Sequence, residues 1–381
     1  MARRPLRRLA MSLLALAAAA PVAGAGCKDP PRRDGATAGS GSARDAGGLA
    51  IDAAPAPPPD LSFVRGTLYL AGAEGHHHVR PFALDAATAA WRELGSGEAS
   101  LFPSAHALRG GVLVIATEGE SEADHVEQLA IVRGEEVERF GPRAGLVRHP
   151  AVAADGTVVV ETSEHGFRDL YRIDPRGKVV RLTQNREGNF EPSLSPDAAH
   201  VVFSSSRDGD AEVYRLPVAG GKATRLTAFH KDDWSPQWSP AGDLIAFLSD
   251  REGPPRLFLM APDGTGQRRA TGETDPDIAE DVPRWSPDGR ALLFARTTGA
   301  AQALALLDPA TSGVRGLTPA GSSDTDATWS PDGTHLAVLR HPLSPARTLG
   351  PAAIVLLRVA DGHEVARLPA PAEPRYLRWL P

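Results

Sequence analysis

Short, unbroken apolar runs recur at nearly constant spacing in the second half of the chain. Each run has three to five residues and is bounded by polar turn residues, a length that suits a strand better than a helix. Apolar runs without polar alternation are typical of strands that are covered on both faces. The runs lie at residues 201–203, 244–248, 291–295 and 336–339.

A Ser-Pro turn precedes each of these runs. Proline presets φ at the second turn position, aspartate favours the third, and glycine accepts a positive φ, so Ser-Pro-Asp-Gly predicts a tight turn between two strands. A period of ~40 to 50 residues with four short strands per repeat is typical of a β-propeller and not of a helical solenoid. The four serines, 44, 47 and 44 residues apart, are Ser195, Ser239, Ser286 and Ser330.

The rest of the repeat is also visible in the sequence. A turn rich in Ser, Arg, Asp and Gly follows the apolar run, as at 206–209 and 249–253, and the repeat ends in Arg-Leu-Thr, as at 225–227. Together with Pro-x-Trp-Ser-Pro-Asp-Gly, these segments resemble the repeat of the TolB-type propellers of the bacterial envelope over about residues 190–340. The resemblance implies a propeller fold. Propellers of prolyl peptidases and some polysaccharide lyases have similar repeats, so the pattern specifies function less than fold.

We therefore predict an all-β protein, a β-propeller of four-stranded blades over residues 61–381. Weaker copies of the repeat extend it on both sides, so seven blades are favoured, and six, the number in TolB, is the alternative. The outer three strands of the first blade are expected at about 67–94, and later blades are expected to start near residues 100, 149, 191, 235, 282 and 326.

Closure of the ring is predicted from the last residues of the chain. Trp379 follows Trp329 by 50 residues and falls in the same column of the repeat. We expect residues 375–381 to supply the inner strand of the first blade and to pair with the strand near 67–71. Residues 61–64 are the competing candidate for that position.

The first 26 residues have the layout of a secretion signal, with four early arginines and an apolar run at 9–23 that is too short to span a membrane. Gly-Ala-Gly-Cys at 24–27 resembles a lipobox, which implies lipidation of Cys27, whereas Ala-Gly-Ala at 23–25 resembles an ordinary cleavage site. We favour lipidation. Because Lys28 and not aspartate follows the cysteine, we favour the outer membrane.

Residues 27–60 are predicted to be a disordered tether. This stretch is rich in Gly, Ala, Ser, Pro and charge and has no apolar periodicity, so it cannot bury enough surface to fold. Cys27 is the only cysteine of the chain, which excludes an intrachain disulfide.

Charge and motifs exclude several functions. The formal net charge is −6, and removal of residues 1–26, with four arginines and no acidic residue, changes it to −10, so nucleic acid is not an expected partner. The sequence has no GxSxG, P-loop or Rossmann fingerprint. We assign no catalytic residue, no cofactor and no metal ligand.

Candidate partner-binding residues fall at one end of the predicted ring. Because strands alternate in direction, the loops between second and third strands and those between blades share one mouth, where function is expected. The acidic run 273–281 is the strongest charge feature there, although a solvated loop is the plainer interpretation. Asp233, Asp281 and Asp326 are expected to open equivalent inner strands. The candidates are Arg207, Asp208, Asp232, Asp233, Arg251, Asp275, Asp277, Glu280 and Asp281.

Histidines are the second feature of this mouth. Converging imidazoles could hold a divalent metal, but no HxxxH or HExxH spacing is present, and long loops collect polar residues of any kind. The histidines that map to the mouth are His76, His77, His78, His125, His149, His165, His230 and His341.

The sequence therefore predicts a secreted, lipid-anchored monomer on the periplasmic side of the envelope. It would bind an envelope protein or peptide at the mouth without chemistry, and only its lipid would contact the membrane. The alternative is a metal-dependent, lyase-like propeller enzyme that uses the mouth histidines.

Overall fold

Every regular element of the described residues is a β-strand. The computed structural model describes residues 59–72, 78–97, 99–119, 124–319 and 322–381, which belong to one compact unit, Pro59–Pro381. The predicted signal peptide, Cys27 and most of the predicted tether lie outside the described residues, as do His76 and His77.

The strands are short and follow one another closely along the chain. In chain order they are β1 Thr67–Gly72, β2 Arg80–Asp85, β3 Ala90–Glu93, β4 Ser100–Leu108, β5 Gly111–Glu118, β6 Val126–Arg133, β7 Glu136–Ala144, β8 Val147–Val152, β9 Val158–Thr162, β10 Asp169–Ile173, β11 Val179–Arg181, β12 Asn189–Leu194, β13 His200–Ser205, β14 Glu212–Pro217, β15 Thr224–Arg225, β16 Asp233–Trp238, β17 Ile245–Ser249, β18 Arg256–Met260, β19 Arg268–Arg269, β20 Ala279–Trp285, β21 Leu292–Thr298, β22 Ala301–Leu307, β23 Val314–Gly316, β24 Ser322–Trp329, β25 His335–Pro342, β26 Ala353–Arg358, β27 Glu364–Leu368 and β28 Arg375–Leu380.

These strands pair in antiparallel sets of four. Sets β4 to β7, β8 to β11, β12 to β15 and β16 to β19 are separate sheets, and β28 joins β1 to β3 in another. Sets β20 to β23 and β24 to β27 are linked by one parallel bridge, Gln302 to Ser323. The all-β propeller of four-stranded blades is thus confirmed, and the blade number stays a prediction.

The second strand of a set is buried on both faces, as its apolar run predicts. Val202 packs with Ile245 and Phe247 of the next set. Phe203 lies on the other face and packs with Val159 of the preceding set. Strands of this kind form the core, which lies between neighbouring sheets.

The first strand of each set, together with β28, forms the inner strands of the ring, and successive inner strands contact one another. Five described inner strands share a bulge at which a residue other than glycine has a positive φ, for example Glu191 at 54° and Ser235 at 50°. Asp326, at 45°, occupies the same position of β24. The extra residue of such a bulge locally disrupts the pairing and leaves its backbone groups free for other contacts.

The Ser-Pro turns form as predicted. In Ser286 to Gly289, the glycine N–H donates to the serine carbonyl at 2.9 Å, and the serine hydroxyl donates to the Asp288 carboxylate at 2.7 Å. Gly289 has a φ of 72°, which explains the preference for glycine there.

The C-terminal strand closes the first sheet. Trp379 of β28 is opposite Leu68 of β1, and its indole N–H donates to the Arg65 carbonyl at 2.7 Å. The predicted pairing of 375–381 with β1 is confirmed. The alternative inner strand at 61–64 is wrong, because this segment forms a turn that packs on the core through Leu61.

Candidate functional site

Two kinds of loop meet at one end of the ring, which we call the loop mouth: the loops between second and third strands, and the loops that lead from one set into the next. The Arg251 guanidinium lies 4.8 Å from the ring centre of Phe229, and the Asp232 N–H donates to Asp250 Oδ1 at 3.0 Å. Burial and the charge of Asp232 raise the pKa of Asp250. These contacts join a loop of each kind, as the strand directions predict.

Arg251, a predicted partner-binding residue, makes its contacts within the propeller. Its Nη2 donates to Asp233 Oδ2 at 2.7 Å and its Nε to Ser249 Oγ at 2.9 Å. Its guanidinium also lies 4.6 Å from the ring centre of Phe258. Asp233 is buried. The pair fastens the loop after β17 to the inner strand β16.

Arg207 makes the equivalent contacts one set earlier. Its Nη2 donates to Asn189 Oδ1 at 2.7 Å, and its guanidinium lies 4.4 Å from the Tyr214 ring centre. Asp208 of the same loop accepts from the Tyr214 hydroxyl and remains about half exposed. Asp232 accepts the Ala211 N–H at 2.7 Å and is partly buried.

The acidic run divides into exposed and buried members. Asp275 and Asp277 are exposed, and Asp275 Oδ1 accepts the Asp277 N–H at 2.9 Å. Glu280 is buried and accepts the Leu257 N–H at 2.8 Å as well as the Thr271 hydroxyl. Asp281 is partly buried. Of these acids, Asp275 and Asp277 alone are fully available to a partner.

The expected equivalence of Asp233, Asp281 and Asp326 is wrong. The inner strands are aligned by the residues that pair with the start of the second strands, Leu194, Trp238, Trp285 and Trp329. In this alignment one row of buried residues lies near the beginning of each inner strand. Each member lies six residues before a serine of the Ser-Pro turns, so the spacing of the repeat does reveal this row, and the prediction misaligned Asp281 and Asp326. Its members are Asn189, Asp233, Glu280 and Asp324.

Exposed aromatic residues of the loop mouth were not among the predicted candidates. Phe229 is 47% exposed although its own N–H donates to Glu212 Oε1 at 2.8 Å. Phe167, in the loop after β9, is 42% exposed. Their signal in the sequence is a phenylalanine inside a polar loop, outside any apolar run.

The sequence is similar to those of known proteins. A family profile described as the TolB beta propeller domain matches residues 118–245 and 223–341. The chain belongs to the TolB β-propeller family. A Protein TolB homolog of Chlorobium luteolum is 31% identical over 80 residues, which cover 21% of this chain and 18% of that relative. The match thus spans less than a fifth of the relative.

Solved structures share the fold of this TolB-family propeller. TolB from Acinetobacter baumannii has a TM-score of 0.52 at 20% identity, with 79% of this chain and 78% of that chain covered. An oligogalacturonate lyase from Vibrio parahaemolyticus has a TM-score of 0.55 at 11% identity, covering 81% and 85%. At such identities the likeness shows architecture alone. Among the described residues no helix is long and apolar enough to cross a membrane.

The Arg-Leu-Thr segment of the TolB-family repeat has a structural use in this propeller. Thr227 Oγ1 donates to Glu212 Oε2 at 2.6 Å and accepts the Val213 N–H at 2.9 Å. Arg225 Nη2 donates to the other Glu212 oxygen at 2.6 Å. Thr183, Arg181 and Asp169 repeat these contacts one set earlier. The motif therefore holds the fourth strand on the third.

The histidines at the mouth of the TolB-family propeller have separate partners. His125 Nε2 lies 3.0 Å from Glu127, His165 Nδ1 lies 2.6 Å from the Tyr171 hydroxyl, and His341 Nδ1 lies 2.9 Å from the Gly350 carbonyl. Within the described ranges, no three His, Cys, Asp or Glu residues are grouped so as to hold a metal ion.

His149 forms a buried pair with a carboxylate. Its Nδ1 lies 3.1 Å from Glu161 Oε2. Burial alone lowers the pKa of His149, but the hydrogen bond and charge of Glu161 outweigh it and raise the pKa. Burial likewise raises the pKa of Glu161, whereas its bonds and charges, His149 first, bring the pKa below its usual value. The pair is thus ionised at moderately acidic pH.

Proposed function

We propose that this TolB-family propeller is a binding module without chemistry that takes an envelope protein or peptide at its loop mouth. The family supports this proposal, because the repeat that its profile matches forms the turns and strand contacts described above. The observation that carries it is Phe229, a large apolar side chain held exposed by contacts on its backbone and ring.

The contacts of Phe229 argue for a preorganised site. Its N–H is tied to the buried Glu212, and its ring lies over Arg251, which is itself fixed by Asp233. A rigid aromatic side chain loses little conformational entropy on binding, and such residues dominate binding energy at interfaces. The exposed Asp275 and Asp277 lie on the next inter-set loop. The mouth therefore suits a segment with both apolar and basic residues.

The proposal is tested by crosslinking from the mouth. A photoreactive residue at position 229 of the full-length protein is expected to crosslink one discrete envelope partner, and Asp275→Lys with Asp277→Lys is expected to reduce that product several-fold. Stability is expected to stay unchanged, because exposed charges contribute little to it.

Controls for this experiment lie elsewhere on the ring. Val314, 43% exposed on the outer strand β23, is the matched probe position. Glu135→Lys with Glu136→Lys, at the exposed β6 to β7 turn of the opposite end, is the matched charge reversal. Equal crosslinking from positions 229 and 314, or equal loss in both double variants, would remove the loop mouth from the site.

We further propose that Cys27 carries a lipid that holds the propeller at the periplasmic face of the outer membrane. Cys27→Ser is expected to leave unprocessed precursor and to abolish labelling by radioactive palmitate. Normal processing of this variant to a soluble periplasmic form would favour cleavage at the Ala-x-Ala site instead.

A further inference from the structure

A cluster of ionisable side chains lies among the inner strands, apart from the loop mouth. It consists of Arg284 on β20, Asp326 on β24, Arg378 on β28 and His106 on β4, and we call it the channel cluster. Arg284 directly precedes the tryptophan at the Ser-Pro end of β20. Arg378 directly precedes the tryptophan at the equivalent position of β28. This places the cluster toward the end of the axis opposite the loop mouth.

Asp326 accepts two hydrogen bonds within the cluster. Its Oδ1 accepts Arg378 Nη1 at 2.7 Å, and its Oδ2 accepts the Leu377 N–H at 2.7 Å. Arg284 Nη2 lies 3.7 Å from the same Oδ1, which is beyond hydrogen-bond distance. The Asp326 carboxylate is therefore hydrogen-bonded to Arg378 but not to Arg284.

Arg284 consequently has no hydrogen bond from its guanidinium to any described residue, and its Nε is buried without a partner. Only 28% of its side chain is exposed. Arg148 also has a buried Nε without a partner, but unlike Arg284 it donates from Nη1 to Glu127. Arg168 donates to Glu161. A guanidinium that loses hydration without gaining acceptors is costly.

The electrostatic setting agrees with this geometry. Burial, followed by the charge of Arg378, lowers the pKa of Arg284 to about 10, although Asp326 and Asp281 act in the opposite direction. Burial and Arg378 also lower the pKa of His106 to about 4. At neutral pH, Arg284 is charged and His106 is neutral, and the hydrogen bond of His106 goes to the Pro150 backbone, so the histidine adds no charge to the cluster.

We propose that Arg284 and Arg378, with His106 beside them, form a site for a carboxylate that enters the central channel. The planar guanidinium of Arg284 has free donors arranged for bidentate binding of such a group. Arg284 shares the charge of Asp326 with Arg378, which holds the hydrogen bond, so an incoming anion meets a guanidinium without a described hydrogen-bond acceptor. This site involves no residue of the loop mouth and stands independently of the function proposed above.

Calorimetric titration of the full-length protein tests the site. At constant ionic strength, sodium N-acetylglycinate is expected to bind saturably, sodium chloride not at all, and Arg284→Gln is expected to lose at least tenfold in affinity. Arg284→Lys keeps the charge but not the planar fork, and it is also expected to bind weakly. The matched control is Arg290→Gln on the next turn, whose side chain is 89% exposed, and its affinity is expected to be unchanged.

Stability without ligand separates this role from a structural one. If Arg284 is a ligand group, Arg284→Gln is expected to melt at the same temperature as the parent or slightly higher in chloride, and to lose the stabilisation by N-acetylglycinate. A large drop in melting temperature in chloride would overturn the proposal in favour of a structural ion pair with Asp326.

Other probes test the chemical class of the ligand. Glucuronate represents sugar acids, and N-acetylglycinate represents small peptide-like carboxylates. Binding of both, or of N-acetylglycinate alone, supports a carboxylate site and shows which of these classes fits the channel. Tighter binding of inorganic phosphate than of either carboxylate would overturn the carboxylate assignment. Equal heats with chloride and N-acetylglycinate would overturn the site itself.

Discussion

Two arginines in neighbouring sets, Arg340 and Arg284, show how differently one fold treats a buried cation. Arg340 on β25 donates from Nε and Nη2 to the two oxygens of buried Asp324, at 2.6 and 3.2 Å, and from Nη1 to Glu364 at 3.1 Å. Arg284 on β20 has a 3.7 Å contact with an aspartate that another arginine already uses.

The pKa values of these arginines shift in opposite directions. Burial lowers the pKa of Arg340, but the hydrogen bonds and charge of Asp324 outweigh it and the net shift is upward. Burial of Arg284 is not offset, and its pKa falls. The difference teaches that a buried charge with all its acceptors belongs to the architecture, whereas one without them is a candidate for binding.

The comparison holds only inside a closed ring, and removal of β28 would break it most strongly. Deletion of residues 375–381 removes Arg378 and the buried Trp379 and leaves one edge of β1 unpaired. Burying a tryptophan contributes at most about 4 to 6 kcal/mol, comparable with the whole stability of many domains. We expect a sharply lower urea midpoint and aggregation through the free edge. Deletion of the exposed Pro381 alone is the control, and a truncated protein that melts like the parent would contradict this closure.

The next largest effect is expected at the architectural arginine. Arg340→Met removes the two hydrogen bonds that Arg340 donates to the buried Asp324, and loss of one member of a buried pair costs about 3 to 5 kcal/mol. Arg284→Met is expected to change the unfolding free energy by about zero, because the cation it removes makes no hydrogen bond. Urea unfolding of both variants measures the contrast. Similar destabilisation by the two substitutions would show that the arginines do the same work.

A smaller, pH-dependent effect is expected at the His149 and Glu161 pair. The raised pKa of His149 contributes stability below its unfolded pKa of about 6.5, which is lost as pH rises through the folded value. The lowered pKa of Glu161 contributes stability above about 4.3, which is lost in acid. The melting-temperature gap between the parent and His149→Asn should therefore be widest between these values. Asparagine suits the positive φ of 48° at this position. A gap that widens toward pH 9 would contradict the ionised pair.

Much of the fold could be predicted because its signals are local. The four residues Ser-Pro-Asp-Gly are enough to predict a tight turn. Trp329 and Trp379 occupy the same position of the repeat, 50 residues apart, which predicts that the C-terminal strand closes the ring. Strand alternation then places Arg251 and Phe229 at one mouth without further information.

The site could be predicted less well, because burial and pairing depend on residues far apart in sequence. Glu280 belongs to an acidic run, yet it is buried. Its carboxylate accepts hydrogen bonds from the Leu257 N–H and the Thr271 hydroxyl, which lie on other segments of the chain. Its equivalence with Asp233, by contrast, could have been predicted, because each lies six residues before a serine of the Ser-Pro turns. Arg284 on β20 lacks a described hydrogen-bond acceptor because Asp326 on β24 accepts from Arg378 on β28 instead. No local sequence pattern connects these three strands.

The pairing of β28 with β1 also joins two segments that lie far apart in the sequence. Until Arg375–Leu380 pairs with β1, the first sheet lacks its inner strand and one edge of β1 is unpaired. Such an edge is open to proteases and to other strands. We therefore expect a folding intermediate without this pairing to be the form of the protein that is most easily cleaved or aggregated.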